Sequence, residues 1–350
     1  MLLFAVSSAL RRLKRSGRSE QVPSVSVIVA ARNEETRIQP CLNSLEKIDY
    51  PGDRFEIILV DDNSSDATPD LIQVYCSRNQ NWKIVRLTEK NQELTGKKNA
   101  LVHGLAEASG DLIFTTDADC VVPRGWLKGM VRYFEKDVSM LLGYSPLIPG
   151  KGSLFRLLQF DNLFSAIVSA APTILGFPFS SVGRNLAYRW STYKQVGGYE
   201  QLKKFRSGDD LHLTERFRYA KSGRIDFSAD PDTFVHTRIP SSGREIFNQQ
   251  IRKNSKVFKT SLATIFFFIF IFLYYLSIPL SPLINPEGIM IWGAGLFLKF
   301  LLELICLLQA VKVFRQASLR PYIPLMQVVY PFYIILFSLL GIFQKYNWKN

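Results

Sequence analysis

Two aspartates separated by a single residue, Asp117 and Asp119, directly follow the apolar run LIFTT. Carboxylate oxygens are preferred ligands of Mg²⁺, which commonly takes further ligands from substrate phosphates and water. An acidic turn that binds nothing is the alternative for such a pair. Because the pair follows a predicted buried strand, its position favours a site for Mg²⁺ or Mn²⁺ beside a phosphorylated substrate. His236 is a weaker candidate for contact with this ion, and an ordinary structural role is favoured for it.

Three more polar groups have side chains that suit chemistry on such a substrate. Asp62 ends the run FEIILVDD and could accept hydrogen bonds from a base or a ribose, with helix capping as the alternative. Asn33 and Glu34 follow the first apolar run and form another polar cluster. Asp209 and Asp210 are adjacent, and a neighbouring negative charge raises the pKa of a carboxyl group, which suits a general base. Their alternative role is a favourable interaction with the start of a helix.

These residues need a scaffold that brings them together, and the chain predicts an α/β fold. Four apolar runs are typical of strands buried on both faces, and helical stretches separate them. Such a series folds into a parallel sheet with helices on both faces, and ligands bind beyond the carboxyl ends of its strands. The predicted strands are Val25–Ala30, Phe55–Val60, Trp82–Leu87 and Leu112–Thr116, and the predicted helices are Glu34–Leu45, one ending near Cys76, and Gly96–Ala108.

Several classes of protein are disfavoured by the composition and by missing motifs. Hydrophobic residues make up 47% of the 350 residues, which excludes intrinsic disorder as the main state. The 4 cysteines have no C-x-x-C spacing, which disfavours a disulfide scaffold and a structural zinc site. The net charge of +13 comes without an aromatic-basic module, so no nucleic-acid partner is expected. The first strand lacks the glycine-rich signatures of dinucleotide enzymes and P-loop nucleotide hydrolases.

The C-terminal part of the chain is typical of a membrane protein. Crossing the hydrocarbon core, ~30 Å thick, takes about 20 apolar residues. Basic residues before the first apolar stretch and between the second and third predict that the preceding domain faces the cytoplasm. Lys299 and Glu303 of the second stretch are spaced to pair on one helix face. Three spans are predicted, at 261–283, 288–311 and 322–343, with two as the alternative if the second is re-entrant.

The N-terminal segment has an apolar stretch followed by basic residues. Residues 1–10 are too few to cross a bilayer, and Arg11, Arg12, Lys14, Arg15 and Arg18 follow them. This order suits a short interfacial helix whose basic end meets anionic lipid, with a disordered basic tail as the alternative. The predicted organisation is an interfacial segment at 1–20, an α/β domain at 21–256 and a membrane domain at 257–350.

An ordered set of motifs runs through about two-thirds of the chain, from Val25 to Lys256. The set resembles glycosyltransferase family 2. This resemblance implies a GT-A fold and a membrane-integrated, inverting enzyme that uses a nucleotide-sugar donor. The motifs, in order, are VSVIVAARNEE, EIILVDDNSSDAT, GKKNAL, ASGDLIFTTDADC, GRNLAYRW, VGGYE, SGDDLHL and QQIR.

The resemblance also implies roles for individual residues. Asp62 would contact the uracil or ribose of a UDP-sugar, and Lys97 would lie near the nucleotide. Asp117 and Asp119 match the family's D-x-D motif, which binds the diphosphate with Mg²⁺ or Mn²⁺, and Asp119 would be nearer the metal. The remaining matches are Asp210 as catalytic base with Asp209 beside it, Gln249 and Arg252 at the diphosphate, and Asn33 and Glu34 at the donor edge.

The sequence departs from the family at Lys253, which replaces the Trp of the Q-x-x-R-W motif. In processive members of the family, this Trp lies at the acceptor end of the site. Its replacement favours transfer of one sugar to a lipid or lipid-linked acceptor in the cytoplasmic membrane. Processive polysaccharide synthesis, with a glycan acceptor, is the alternative. A non-catalytic nucleotide-sugar-binding protein is a remote alternative, because every acidic position of the family is filled.

Overall fold

The computed structural model describes residues 2–13, 17, 19–88, 97–199, 209–240, 242–255, 261–284 and 288–343, without the side chains of residues 209, 263, 279, 281, 282 and 284. Contacts within the chain divide it into two compact units. We call Arg12–Ile148 with Val168–Arg238 the sheet unit. We call Met1–Arg11, Pro149–Ile167 and Ile239–Asn350 the helical unit. The domain boundaries near residues 20 and 256 stay predictions.

A seven-stranded sheet forms the centre of the sheet unit, in the order β3-β2-β1-β4-β7-β6-β8. Strands β5 and β9 form a separate two-stranded sheet. The strands are β1 Val25–Ala31, β2 Phe55–Asp62, β3 Trp82–Leu87, β4 Leu112–Asp117, β5 Cys120–Val121, β6 Val138–Gly143, β7 Leu186–Arg189, β8 Arg224–Ser228 and β9 His236–Thr237.

Strands β1 to β4 lie parallel, whereas β7 is antiparallel to both β4 and β6. Strand β8 returns parallel to β6. Val27, Ile58 and Phe114 of the central strands are fully buried, as expected for a sheet covered on both faces. The predicted α/β fold with a mostly parallel sheet is therefore confirmed.

Helices of the sheet unit connect these strands and cover the sheet. The helix after β1 begins at Ile38, later than predicted, because residues 35–37 form a turn. In this turn the carbonyl oxygen of Glu34 accepts hydrogen bonds from the N–H groups of Arg37 and Ile38. Gly96, the predicted start of a later helix, lies outside the described residues. The helices are α2 Ile38–Leu45, α3 Thr68–Arg78, α4 Lys97–Ala106, α5 Trp126–Val131, α7 Trp190–Gln195 and α8 Asp209–Ala220, while α6 Ser153–Ile174 begins in the helical unit.

The helical unit contains the most apolar helices. Ile289–Val313 and Ala317–Ile342 are long and apolar enough to cross a membrane, and Thr264–Ile278 is a shorter apolar stretch, among the residues described. The count of three spans and their orientation stay predictions. The helices are α1 Leu2–Arg12, α9 Gly243–Ser255, α10 Leu262–Ile284, α11 Ile289–Val313 and α12 Ile323–Ile342.

Polar contacts join the helices of this unit. Lys299 Nζ lies 2.9 Å from Glu303 Oε2, so the predicted pairing on α11 is confirmed. The Tyr274 hydroxyl of α10 donates to Glu303 at 3.2 Å. The predicted N-terminal helix is present as α1, and its Ser7 hydroxyl donates to Gln309 of α11 at 2.9 Å.

Candidate active site

Three parallel strands end at one edge of the sheet, and several predicted site residues lie there. The register pairs Ala31 with Asp61 and Ala30 with Asp117, so the ends of β1, β2 and β4 are level. Asn33, in the loop after β1, has a positive φ of 53° and accepts a hydrogen bond from Ser65 N–H at 2.9 Å. This bond ties the loop after β1 to the loop after β2.

Glu34 and Asp62 occupy the same edge. The backbone N–H of Glu34 donates to Thr68 Oγ1 at 2.8 Å, which holds the loop after β1 against the start of α3. Arg32 Nη1 lies 4.0 Å from Asp62 Oδ2, and Asn99 of α4 donates a hydrogen bond to Asp62. Burial raises the pKa of Asp62, and the Arg32 charge partly offsets that effect.

The two aspartates of the D-x-D motif lie at the end of β4. Ligand atoms of Asp117, Asp119 and Cys120 all lie within 4.8 Å of one another. Lys97, the first residue of α4, forms an ion pair with Asp117 Oδ1. Burial raises the pKa of Asp119, the negative charge of Asp117 raises it further, and the Arg184 and Lys97 charges partly offset this. The site thus holds two acidic groups that a bound cation would stabilise.

The donor chemistry of this cluster fits Mg²⁺ or Mn²⁺. Burial, with the charges of Asp117 and Asp119, raises the pKa of the Cys120 thiol far above its ordinary value. A protonated thiol is a poor metal ligand, since the thiolate is the form that binds. The oxygens of Asp117 and Asp119 therefore remain as the protein ligands, as is common for Mg²⁺ bound with a substrate phosphate. His236 of β9 pairs with Val121 in the small sheet and is not in this cluster of described residues.

Asp210 lies in the first turn of α8, and Gly183 links it to Lys97. The backbone N–H of Gly183 donates to Asp210 Oδ2 at 2.9 Å, and the N–H of Leu211 donates to Oδ1 at 2.9 Å. A Cβ atom added to Gly183 would lie 3.4 Å from Asp210 Cβ and 3.7 Å from Lys97 Nζ. The predicted base and the Lys97–Asp117 pair are therefore neighbours of one glycine. The side chain of Asp209 lies outside the described part of the chain.

Arg184 is a site residue whose role the sequence motifs do not predict. Its positive charge acts on Asp119 and on Cys120 and lowers the pKa of both groups against the effect of burial. Its Nε atom is buried without a hydrogen-bond partner among the described residues. The available signal was the motif GRNLAYRW, in which Arg184 follows Gly183.

Gln249 and Arg252 lie on α9 of the helical unit, whereas the carboxylates above lie in the sheet unit. Their contact with a diphosphate stays a prediction. Lys253, at the position of the family's Trp, donates to Asp161 Oδ2 at 2.9 Å and to Ser165 Oγ at 2.6 Å.

Asp161 accepts two further hydrogen bonds within the helical unit. The Tyr330 hydroxyl of α12 donates to Oδ1 at 2.9 Å, and Gln250 Nε2 donates to Oδ2 at 3.4 Å. One buried carboxylate of α6 thus joins α9, which carries Gln249 and Arg252, to α12.

Comparison with known proteins relates this geometry to a family. The family profile "Glycosyl transferase family 2" matches residues 26–189. The glycosyltransferase AglE of Haloferax volcanii is 33% identical over 242 residues, which are 68% of this chain and 73% of that protein. The beta-monoglucosyldiacylglycerol synthase of Synechocystis sp. is 40% identical over 112 residues, which are 32% of this chain and 23% of that protein.

The lengths of these relatives differ from that of the chain. The probable glycosyltransferase YdaM of Bacillus subtilis is 29% identical over 201 residues, 56% of this chain. The chain spans 47% of YdaM and 23% of the Synechocystis synthase, less than half of either.

A solved structure has the same fold over nearly the whole chain. The mannosyltransferase PcManGT from Pyrobaculum calidifontis, in complex with GDP-Man and Mn²⁺, superposes with a TM-score of 0.63 at 18% identity. The superposition covers 98% of this chain and 93% of PcManGT. The family profile covers Asp62, Asp117 and Asp119 with the strands that position them, and AglE is matched over most of its own length. The chain therefore belongs to glycosyltransferase family 2.

Proposed function

We propose that this glycosyltransferase is a membrane-bound, inverting enzyme that transfers a sugar from a UDP-sugar to a hydroxyl group of a lipid or lipid-linked acceptor. The observation that carries the proposal is the position of Gly183. The Gly183 N–H group donates a hydrogen bond to Asp210, and a Cβ atom added to Gly183 would lie 3.7 Å from Lys97 Nζ. Lys97 in turn forms the ion pair with Asp117. One loop therefore connects a suitable general base with a suitable diphosphate site.

The donor binds along the sheet edge that carries Asn33, Glu34 and Asp62. A partly buried carboxylate such as Asp62 accepts hydrogen bonds from a uracil or a ribose, and neighbouring Arg32 keeps it oriented. Lys97 supplies positive charge for the diphosphate, with a side chain 32% exposed beside Asp117. Gln249 and Arg252 add donors to the diphosphate, since a guanidinium group matches phosphate oxygens in a planar fork.

Asp117 and Asp119 are the residues that would hold Mg²⁺ or Mn²⁺ together with the donor diphosphate. The pKa of Asp119, raised by burial and then by the negative charge of Asp117, supports this assignment, because a bound cation would offset that charge. The Mn²⁺ in the PcManGT structure agrees with it. When bound, the ion supplies positive charge that stabilises the leaving nucleotide diphosphate.

Asp210 acts as the general base. It takes the proton from the acceptor hydroxyl, and the hydroxyl oxygen forms a bond to the anomeric carbon. The bond between that carbon and the diphosphate breaks on the opposite face, so the configuration inverts. The N–H groups of Gly183 and Leu211 hold the Asp210 carboxylate in one orientation, and a general base must be positioned in this way to take a proton.

The acceptor is a lipid or lipid-linked molecule that receives one sugar. The Lys253 ammonium is bound to Asp161 and Ser165, so this position offers no aromatic surface to a growing glycan. Two apolar helices support a location in the membrane, and basic loops favour the cytoplasmic membrane with the sheet unit on the cytoplasmic side. Among the relatives, the Synechocystis synthase is named for a glucosyl lipid.

The first test compares Asp210→Asn with Asp209→Asn in the purified full-length protein. Asp210→Asn should lower kcat by about 10²–10⁴, because the amide cannot accept the proton. UDP release with a panel of UDP-sugars measures turnover, and calorimetry measures the UDP affinity, which should not change. Turnover of Asp210→Asn near that of the wild type would contradict the assignment.

The mass of the product tests the acceptor. The proposal expects one sugar on a lipid extracted with the membrane. Long glycan chains made by the purified enzyme would instead identify a processive polysaccharide synthase.

A further inference from the structure

A basic pocket in the sheet unit has a volume of ≈590 Å³. Its lining includes Arg12, Arg218, Lys221, Arg224 and Asp226. Arg224 forms an ion pair with Asp226. The lining thus contains four cationic side chains and one carboxylate, so the pocket has an excess of positive charge.

The pocket lies at the opposite edge of the sheet from the candidate active site. Strand β8 is parallel to β6, and both β6 and β4 are antiparallel to β7, so β8 and β4 point the same way. Arg224 is the first residue of β8, whereas Asp117 is the last residue of β4. The pocket is therefore separate from the donor edge.

Exposed apolar side chains border this pocket. The described residues of the sheet unit include five exposed large hydrophobic side chains. Three of them, Leu175, Phe177 and Tyr219, are sequence neighbours of residues that line the pocket. Phe177 is 62% exposed and Tyr219 is 61% exposed, whereas the other two, Val22 and Val74, lie elsewhere in the sequence.

Arg218 connects the basic and apolar parts into one surface. Its guanidinium group lies 4.7 Å from the centre of the Tyr219 ring and 5.2 Å from that of Phe179. It donates to the Tyr219 hydroxyl at 2.9 Å. We call Arg12, Leu175, Phe177, Arg218, Tyr219 and Lys221 the Arg218 patch.

We propose that the Arg218 patch binds the surface of an anionic lipid bilayer. Arg12, Arg218 and Lys221 contact lipid phosphates, and Leu175 and Phe177 insert between the headgroups. Basic and aromatic side chains on one surface are the combination that binds the interface of anionic membranes. This inference rests on the membrane-bound state in the proposed function but not on sugar transfer.

The charge of the patch and its apolar rim select this occupant. A soluble phosphate would use the cations but leave the exposed Phe177 and Leu175 in water. A lipid surface satisfies both groups, since it has phosphates at the level where aromatic rings are most stable. Arg12 is also the last residue of α1, whose apolar residues followed by basic residues are typical of an interfacial helix.

The test measures the depth of position 177 in nanodiscs that contain the full-length protein. Phe177→Cys is labelled with a fluorophore in a Cys76→Ser background, because Cys41, Cys120 and Cys306 are buried. Val74→Cys, 44% exposed in the same unit, is the matched control. The proposal expects brominated lipid to quench the label at position 177 and not the label at position 74.

Charge variants test the headgroup contact. Arg12→Gln with Lys221→Gln should raise the phosphatidylglycerol fraction needed for half-maximal quenching, with an affinity loss of about five-fold per charge. Lys47→Gln with Arg54→Gln removes equal charge elsewhere and should not change this fraction. Quenching that is equal in phosphatidylcholine and phosphatidylglycerol would overturn the contact with anionic lipid.

Two other outcomes would overturn the inference. Equal quenching at positions 177 and 74 would show that the patch does not contact lipid. A label at position 177 that is shielded from water but not quenched by brominated lipid would indicate a protein partner. The readout needs no turnover, so a failed sugar-transfer assignment and a failed lipid contact are distinguishable.

Discussion

Buried or half-buried carboxylates occur in both units of this protein, and their surroundings differ. Asp161 of the helical unit accepts hydrogen bonds from Tyr330, Gln250 and Lys253. In the sheet unit, Asp119 lies beside Asp117, and burial with this second negative charge raises its pKa. The comparison separates a carboxylate held by three protein donors from a pair whose mutual repulsion Lys97 and Arg184 only partly offset, so that a bound cation would stabilise the pair further.

This difference indicates what each cluster does. A buried carboxylate with several donors holds helices together, because removing it leaves the donors without a partner. Two neighbouring acids repel each other in the folded protein, and a bound cation would offset the part of that repulsion that Lys97 and Arg184 leave. We therefore expect changes at Asp119 to reduce activity and changes at Asp161 to reduce stability.

Within this comparison of Asp119 with Asp161, the largest expected effect is that of Asp119→Asn on turnover. Loss of a metal ligand should lower kcat by about 10²–10³, the range found when charge stabilisation of a transition state is removed. A carboxyl group whose pKa is raised by folding destabilises the native state at pH values above that pKa. Without metal at neutral pH, the variant should therefore unfold at the same or a higher temperature than the wild type. UDP release measures the loss of turnover, and thermal unfolding in EDTA measures the change in stability. An Asp119→Asn variant that is less stable than the wild type but fully active would contradict the role given to Asp119.

Gly183→Ala should have a smaller effect on the same site. The added methyl group would contact Asp210 Cβ and Lys97 Nζ at ordinary distances, so the fold should tolerate it. A small displacement of either group should lower kcat/KM by about 10-fold, because reactivity depends steeply on orientation. Gly52→Ala is the control, since nothing lies within 4 Å of its added Cβ. Equal kcat/KM for both variants would show that Gly183 does not help to position Asp210 or Lys97.

Asp161→Asn should affect stability more than chemistry. The amide weakens the hydrogen bonds from Lys253 and Tyr330, and we expect the free energy of unfolding to fall by about 1–3 kcal/mol. Turnover at a permissive temperature should fall less than the turnover of Asp119→Asn. Lys253→Met is a milder control, because the Lys253 side chain is 44% exposed. An unchanged unfolding temperature together with lost turnover would make Asp161 part of the site.

The smallest expected effect is a shift in pH dependence. Because its pKa is raised, Asp119 should take up a proton at a higher pH than an ordinary aspartate as the pH falls. Protonation competes with metal binding, so kcat/KM at limiting Mn²⁺ should decline early on the acid side. Saturating Mn²⁺ should move that decline to lower pH. A decline that does not respond to the Mn²⁺ concentration would assign it to another group.

The sequence predicts the parallel half of the sheet closely and the rest of it poorly. Strands β1 to β4 differ from their predicted ranges by at most two residues, because strands buried on both faces are continuous apolar runs. Strands β6, β7 and β8 were not predicted. Strand β7 has only four residues, and β8 contains the alternating polar residues Arg224 and Asp226. The hydrophobic pattern of such short or alternating segments is the same as that of many loops, so it does not identify them as strands.

The candidate site was partly predictable for the same reason. Asp62 and Asp117 end predicted strands, so their position at one edge followed from the parallel order. The bond between Gly183 and Asp210 depends on a loop that joins distant segments, which no local period encodes. The contacts of Asp161 with Lys253 and Tyr330 span 92 and 169 residues, and no local sequence pattern predicts contacts over such separations.

The central claim is that Asp117 and Asp119 form the metal site, and Mn²⁺ binding by the full-length protein with UDP tests it most directly. The loss of the free-ion signal in electron paramagnetic resonance measures this binding. We expect the wild type and Asp161→Asn to bind Mn²⁺ with the same affinity. We also expect Asp117→Asn combined with Asp119→Asn to bind none at the same concentrations. Equal binding by all three proteins would contradict the assignment of the metal to the end of β4.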